Sequence, residues 1–316
     1  MTTHKWTKWA VLEGLTKTTS RTFQKVVGGA SNNWGGTFLA AGIIGFVQVL
    51  YAAIVITRQG GKFFKDPVGI FGCVMFGLLA LISTVFGFAT FLYGGDISIS
   101  TFIVTLSIVP GMIIDVVFFK YKSTPKEWVG MAIAIMAGWA VLDFPSVSGL
   151  LTLPIWVLFA CGTMMSTAIN QGITQKVKKV DAMFKNFWGG MVALVGAPLI
   201  LLFRGEFNLI LTPGSNPTLW KASAFIGLVV ICMWSFNLLS YKTGASIALK
   251  KLVMNGTYLL TTMMLGYIIF GEHITGGKLT SIPLFVLAYV LMDKKAWDYV
   301  TGRSTDGSPG NATKPA

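Results

Sequence analysis

Nine long apolar runs, near residues 36–57, 68–92, 97–119, 128–143, 153–173, 187–203, 222–241, 252–270 and 278–292, take up most of this chain. About 20 residues of helix, rising 1.5 Å each, cross the hydrocarbon of a bilayer, so runs of this kind predict membrane-spanning helices. A composition that is 53% apolar and only 12% charged over 316 residues agrees with that reading and is not one a soluble domain needs. The run 128–143 is short, and Trp128 and Asp143 would sit at its two interfaces. Tight connections such as Tyr93-Gly94-Gly95-Asp96 and Gly271-Glu272-His273-Ile274 predict antiparallel neighbours in one all-α bundle.

The formal charge of +13 would suggest nucleic acid in a soluble protein, but here its placement is a topology signal. Numbering the nine runs puts Arg58, Lys62, Lys65, Lys120, Lys122, Lys126, Lys176, Lys178, Lys179, Lys185, Lys242, Lys294 and Lys295 on one side. The other side holds Arg204, Lys221 and Lys278 besides the amino-terminal tail. The positive-inside rule makes the Lys-rich side, with the carboxyl terminus, cytoplasmic, and a bacterial inner membrane is the expected location. No nucleic acid is expected as a partner.

Cys73, Cys161 and Cys232 all fall within the runs, where a small apolar residue is the ordinary reading. His4 and His273 are too few and too far apart for a metal site. There is no phosphate loop, nucleophile elbow or HExxH pattern, so no enzymatic activity and no cofactor or metal is expected.

Asn32-Asn33-Trp34-Gly35-Gly36 opens one run, and Asn186-Phe187-Trp188-Gly189-Gly190 opens another about half a chain later. Gly95-Asp96-Ile97-Ser98-Ile99 precedes a long run in the first half as Gly244-Ala245-Ser246-Ile247 does in the second, and each half closes with a hairpin ending at Asp143 or Asp293. The chain therefore divides into a first repeat at 34–144 with four helices, a second at 145–295 with five, and a carboxyl-terminal tail at 296–316 with the composition of disorder. Asn311-Ala312-Thr313 in that tail is a glycosylation triplet expected to go unused on the cytoplasmic side.

The helix missing from the first repeat belongs in residues 1–33, where Gln24-Lys25-Val26 matches Gln175-Lys176-Val177. Leu12, Leu15, Thr19, Phe23 and Val26 form one helical stripe, and Glu13, Lys17, Arg21 and Lys25 form another. Each basic residue costs about 2.5 to 3.5 kcal/mol near the bilayer centre, which favours a helix lying flat on the interface. Nine crossings, however, leave the basic tail on the wrong side. A degenerate tenth crossing resolves this if the charged stripe faces a wet cavity, and a cleaved targeting segment is the third alternative.

Two helical halves of opposite orientation, each ending in a long helix, a tight turn and a short helix, resemble the drug/metabolite transporter superfamily. The match rests on Leu265-Gly266-Tyr267-Ile268-Ile269-Phe270-Gly271-Glu272-His273-Ile274-Thr275, on the Gly-rich stretch from Gly130 to Trp139, and on Pro110 in the preceding helix. Lys120-Tyr121-Lys122 stands where that family has an acidic turn, and Thr280, Leu284 and Ala288 replace its small-residue ladder, which marks a divergent member. The resemblance implies an inverted-repeat secondary transporter that moves a small organic metabolite or drug-like solute by alternating access.

Candidate residues follow from polarity inside apolar runs. Asp115, deep in the run from Val109 to Phe119, is a functional candidate and would suit proton coupling, the alternative being a protonated carboxyl bonded to a neighbouring helix. Asn170, Gln171, Trp234, Asn237, Asn255 and Tyr258 would line a solute site, and Gln48 is similar. Each amide could equally be a helix-to-helix hydrogen bond. Lys250 and Lys251 resemble the dibasic pair of sugar-phosphate and nucleotide-sugar exchangers and, with Lys17 and Arg21, could hold an anion. Lysines snorkelling to the interface are the simpler reading of that pair. Gly130, Ala134 and Gly138 would let two helices approach, and Glu272 would close a turn. The expected partners are a small-molecule solute and the lipid bilayer, with the chain a monomer or homodimer. A non-transporting scaffold or sensor on the same fold is the reading from another class.

Overall fold

The structure, a computed structural model, describes residues 5–64, 66–143, 153–245 and 247–292, with Ser146, Trp297 and Thr301. Lys65, the predicted repeat boundary at 144 and 145, Ser246, Asp293, Lys294, Lys295 and all of the predicted tail except Trp297 and Thr301 lie outside them. Among the described residues every regular element is helical. Besides short helical turns at Asn208–Leu211 and Pro213–Ser215, the helices are α1 (Lys5–Ala30), α2 (Trp34–Arg58), α3 (Pro67–Leu92), α4 (Ile97–Thr105), α5 (Ile108–Phe119), α6 (Pro125–Val141), α7 (Ile155–Lys176), α8 (Ala182–Phe203), α9 (Pro217–Lys242), α10 (Ile247–Phe270) and α11 (Gly276–Met292).

Their starts are written in the sequence. Asn33, Asp66, Asp96, Asp181 and Asn216 each accept a hydrogen bond from a free amide of the first turn that follows. Pro67, Pro125 and Pro217 occupy first helical positions, where no amide hydrogen is needed. Gly94 and Gly271, at φ of 80° and 63°, turn the chain between neighbouring rods.

Six segments are long and apolar enough to cross a membrane: α2, α3, α4 with α5 taken together, α8, α9 and Val253–Phe270 of α10. All nine predicted runs are helical, but three fall outside this set. Helices α6 and α11 have 17 residues each, and α7 is diluted by Thr163, Ser166, Thr167, Asn170 and Gln171. Phe46, Leu50, Leu158, Phe203 and Ile268 stand exposed on the outside, as an integral membrane protein requires.

Packing is organised in pairs. Helix α1 lies along α9 and α10, and α7 lies along α3 and the α4–α5 rod; α2 crosses α8, and α6 pairs with α11. Helix α2 also touches α9 as α3 touches α8. If α4 and α5 count as one rod, exchanging the first five rods for the last five in order maps this set of pairs onto itself. At the α2–α8 crossing Gly45 meets Gly190, with backbone so close that a Cβ on Gly45 would lie 2.6 Å from the Leu194 nitrogen.

That crossing corrects the register of the sequence repeat. Trp34 is the first residue of α2, whereas Trp188 is the seventh of α8, because Asp181 caps that helix and starts it at Ala182, five residues before the predicted run at 187. Gly35 abuts Glu206 and Gly189 abuts Trp234, so the two Trp-Gly-Gly motifs occupy different surroundings.

Helix α1 is inside out. Leu12, Leu15 and Val26, from the predicted apolar stripe, are exposed, while Glu13 and Arg21 are 1% and 3% exposed. The charged stripe thus faces α3, α9 and α10, and hydrocarbon side chains face outward.

The rod from Ile97 to Phe119 is broken between Thr105 and Ile108. Pro110 has no amide hydrogen for the Leu106 carbonyl, and its ring crowds that carbonyl, which therefore takes the Val109 amide at 2.9 Å instead. The side chains of α10 hold the joint: Asn255 Nδ2 donates to Thr105 O at 2.8 Å and Lys251 Nζ to Ser107 O at 2.7 Å.

Candidate functional site

A central cavity of about 130 Å³ lies among α1, α2, α3, α7, α8 and α9, with Val104 of α4 and Tyr258 of α10 closing its wall. Glu13, Lys17, Ser20, Arg21 and Gln24 give it a polar side. Phe76, Leu81, Ile226, Val230 and Trp234 give it an apolar one. The ring of Trp234 meets that of Phe76 edge on, with centroids 4.6 Å apart.

Behind the wall runs a fully buried polar network. Lys250 Nζ pairs with Glu13 Oε2 at 2.7 Å, and neither side chain is more than 1% exposed. Gln171 Oε1 accepts from Asn237 Nδ2 at 2.9 Å, Tyr241 Oη at 2.7 Å and Lys250 Nζ at 2.9 Å. Asn237 Nδ2 also donates to Glu13 Oε1 at 3.0 Å, and Asn237 Oδ1 accepts from Lys185 Nζ at 3.0 Å. Lys185 donates further to Thr174 Oγ1 and stands over the Phe76 ring, 3.8 Å from its centroid. The network links α1, α7, α8, α9 and α10, and amides satisfy the charges that burial would otherwise penalise.

Of the residues expected at a solute site, Asn170, Gln171, Trp234, Asn237, Tyr258, Lys17 and Arg21 do come together on this wall. Asn170 is drawn into packing: with its amide turned to satisfy both groups, Nδ2 donates to Phe76 O at 3.1 Å and Oδ1 accepts from Ala80 N at 3.2 Å. Gln48 also reaches the wall and donates to Asn186 Oδ1 at 3.3 Å, a helix-to-helix bond. Asn255 is off the cavity, at the α4–α5 joint.

Asp115 is buried on α5 and is not among the residues that line the cavity. Lys250 and Lys251 are neither snorkelling nor on the wall: both are 0% exposed, one engaged by Glu13 and the other by Ser107 O. Lys185, counted among the cytoplasmic charges, is also a buried residue of the network, because α8 begins before it. Glu13 and Tyr241 were missing from the expected set. Glu13 had a legible signal, its place in the charged stripe of α1, and Tyr241 had none.

One end of the bundle is fastened beyond Gln24. Glu272 accepts from Ile97 N at 2.7 Å and from Ser98 Oγ at 2.6 Å, and it pairs with Lys25 at 2.5 Å. It therefore caps α4 across the bundle rather than closing its own turn. Lys278 pairs with Asp96 at 3.1 Å beside it. Burial would raise the Glu272 carboxyl, but its contact with Asp96 and the hydrogen bonds it accepts from Lys25, Ser98 and the Ile97 amide outweigh that and hold it down at about 2. Burial and the Glu272 contact push Asp96 up.

The fold has a known counterpart. A solved structure, described only as the crystal structure of a protein, superposes with a TM-score of 0.60 at 14% identity, over 91% of this chain and 98% of that one. The likeness concerns the fold alone. No protein-family profile matches the chain, and no curated protein does. Among the described residues no cluster of His, Cys, Asp and Glu could hold a metal ion.

Proposed function

We propose that this protein is a secondary carrier for a small organic anion, working by alternating access on an inverted-repeat scaffold of ten crossings. One observation carries the reading. Lys17, Arg21, Lys185, Lys250 and Lys251 are gathered in and behind the cavity wall, where the Glu13 carboxylate pairs with Lys250. A site with such an excess of positive charge inside an apolar bundle is suited to a negatively charged solute, and intramembrane charge is functional by default.

The paired packing supports two halves that rock against each other, as inverted repeats do around a central site. The drug/metabolite transporter resemblance fits the same scheme. Helix α1, with 26 residues, is about 39 Å long, enough to cross, and its inward charges answer the cost that argued for a surface helix. Ten crossings place both termini on one side, the cytoplasmic face of an inner membrane by the distribution of lysine. Reporter fusions at the two ends should then give the same compartment. Opposite compartments would remove the tenth crossing.

Transport itself is tested with the purified protein in liposomes preloaded with mixed organic anions. Labelled organic anions should enter by counterflow at rates well above those of neutral analogues of the same size. Preference for neutral or cationic solutes would overturn the anion reading.

A further inference from the structure

The basic groups of the network have partners, but one edge of the Arg21 guanidinium does not. Lys250 is held by Glu13 and Gln171, Lys185 by Thr174 and Asn237, and Lys251 by the Ser107 carbonyl. Arg21 lines the cavity, is 3% exposed, and enters none of the ion pairs among the described residues. Its Nη1 donates to Gln24 Oε1 at 3.1 Å, and its flat face lies over the Phe91 ring, 4.4 Å from the centroid. Nε and Nη2 have no hydrogen-bond partner, although both are buried.

Those two atoms share one edge of the guanidinium. Their N–H bonds run parallel and are spaced to meet both oxygens of a carboxylate or two of a phosphoryl group. Buried charged donors left open disfavour folding, so an arginine held in place by Gln24 and Phe91 with that edge empty is suited to an incoming acceptor. Both atoms are closed off in this conformation, so contact requires a movement of the side chain toward the cavity it lines. Of the two acceptors, a carboxylate is filled by the fork alone. A phosphoryl group has a third oxygen to satisfy, and Lys185, Lys250 and Lys251 already have partners. Phe76, Trp234, Ile226 and Val230 on the same cavity wall suit a hydrocarbon or aromatic body.

We propose that Arg21 is the anchor of the carried solute, binding through its Nε and Nη2 edge the carboxylate of a compound with an apolar or aromatic body. Lys17, one turn earlier on the same face of α1 and 5.8 Å from the centre of the Tyr258 ring, adds charge beside it. This rests on the anion-carrier reading and gives it a substrate class.

The test is uptake of labelled benzoate and butyrate into liposomes holding the full chain, with benzamide and glycerol 3-phosphate as competitors. Wild-type protein should take up the carboxylates, with no inhibition by benzamide and weak inhibition by the phosphate ester. Arg21→Lys, which keeps the charge and loses the fork, should raise KM about tenfold or more. Because the fork bonds nothing in the fold, Arg21→Lys and Arg21→Gln should melt close to the wild type, whereas a structural arginine would lower the melting point. Carboxylate uptake with KM unchanged in Arg21→Lys would overturn the anchor and leave the carrier reading standing. Stronger inhibition by glycerol 3-phosphate than by unlabelled carboxylates would overturn the substrate class. Wild-type protein that moves no anion at all would end both.

Discussion

Lys250→Met is expected to destabilise the folded protein by about 3 to 5 kcal/mol, the range found when one partner of a buried ion pair is removed. The Glu13 carboxylate would keep Asn237 Nδ2 at 3.0 Å but lose the ammonium at 2.7 Å, in a place with essentially no exposure. Gln171 Oε1 would keep two of its three donors, so the damage should centre on Glu13. The double variant Glu13→Gln with Lys250→Met removes both charges and should recover most of the loss, since a neutral amide can still meet Asn237. Thermal melting of the detergent-purified protein measures both. A double variant no more stable than Lys250→Met alone would show that the lysine contributes through packing and not through the pair.

Gly45→Val should be comparably severe for a different reason. A Cβ on Gly45 would stand 2.6 Å from the Leu194 nitrogen, 2.8 Å from the Gly190 oxygen and 2.9 Å from the Ala193 Cβ. Two of these are backbone atoms of α8, which cannot swing aside as the end of a long side chain can. Helices α2 and α8 would have to separate along their whole crossing. Overpacking of this kind costs about 1 to 3 kcal/mol and more when backbone is what must shift. Gly29→Ala is the control, because nothing lies within 4 Å of that added carbon, and alanine there should be neutral or stabilise α1 slightly. Melting points that fall equally in both variants would mean that the close approach at the crossing does not set the response.

Much of this architecture is legible in the sequence because lipid imposes a crude rule, and the nine apolar runs are all helices. The errors have local causes. Helix α8 begins at Ala182 because Asp181 caps it, and the hydropathy of the run hides this start behind Lys185 and Asn186. The same slip made Lys185 a loop charge. Lys250 and Lys251 are readable as cations near a helix start, but not their partners, since Glu13 lies 237 residues before Lys250 and Ser107, the partner of Lys251, lies on a third rod. The amides of Asn170, Asn237 and Asn255 look alike in sequence. One packs into α3, one joins the buried network and one holds the α4–α5 joint. For α1, both stripes are plain in the sequence, but a helical wheel cannot say which of them faces the protein.

The broken rod makes the two halves mechanically unequal. Helix α10, the counterpart of the α4–α5 rod in the second half, runs unbroken from Ile247 to Phe270, and from it Lys251 and Asn255 grip the Ser107 and Thr105 carbonyls at the break. In a carrier that rocks about its centre, a tilt of α10 would pull the joint with it, while a bend at the joint could leave α10 straight. The stroke that opens one mouth would then be a lever motion and the return stroke a flexing one, with separate barriers that substitutions at Pro110 and at Lys251 should shift independently.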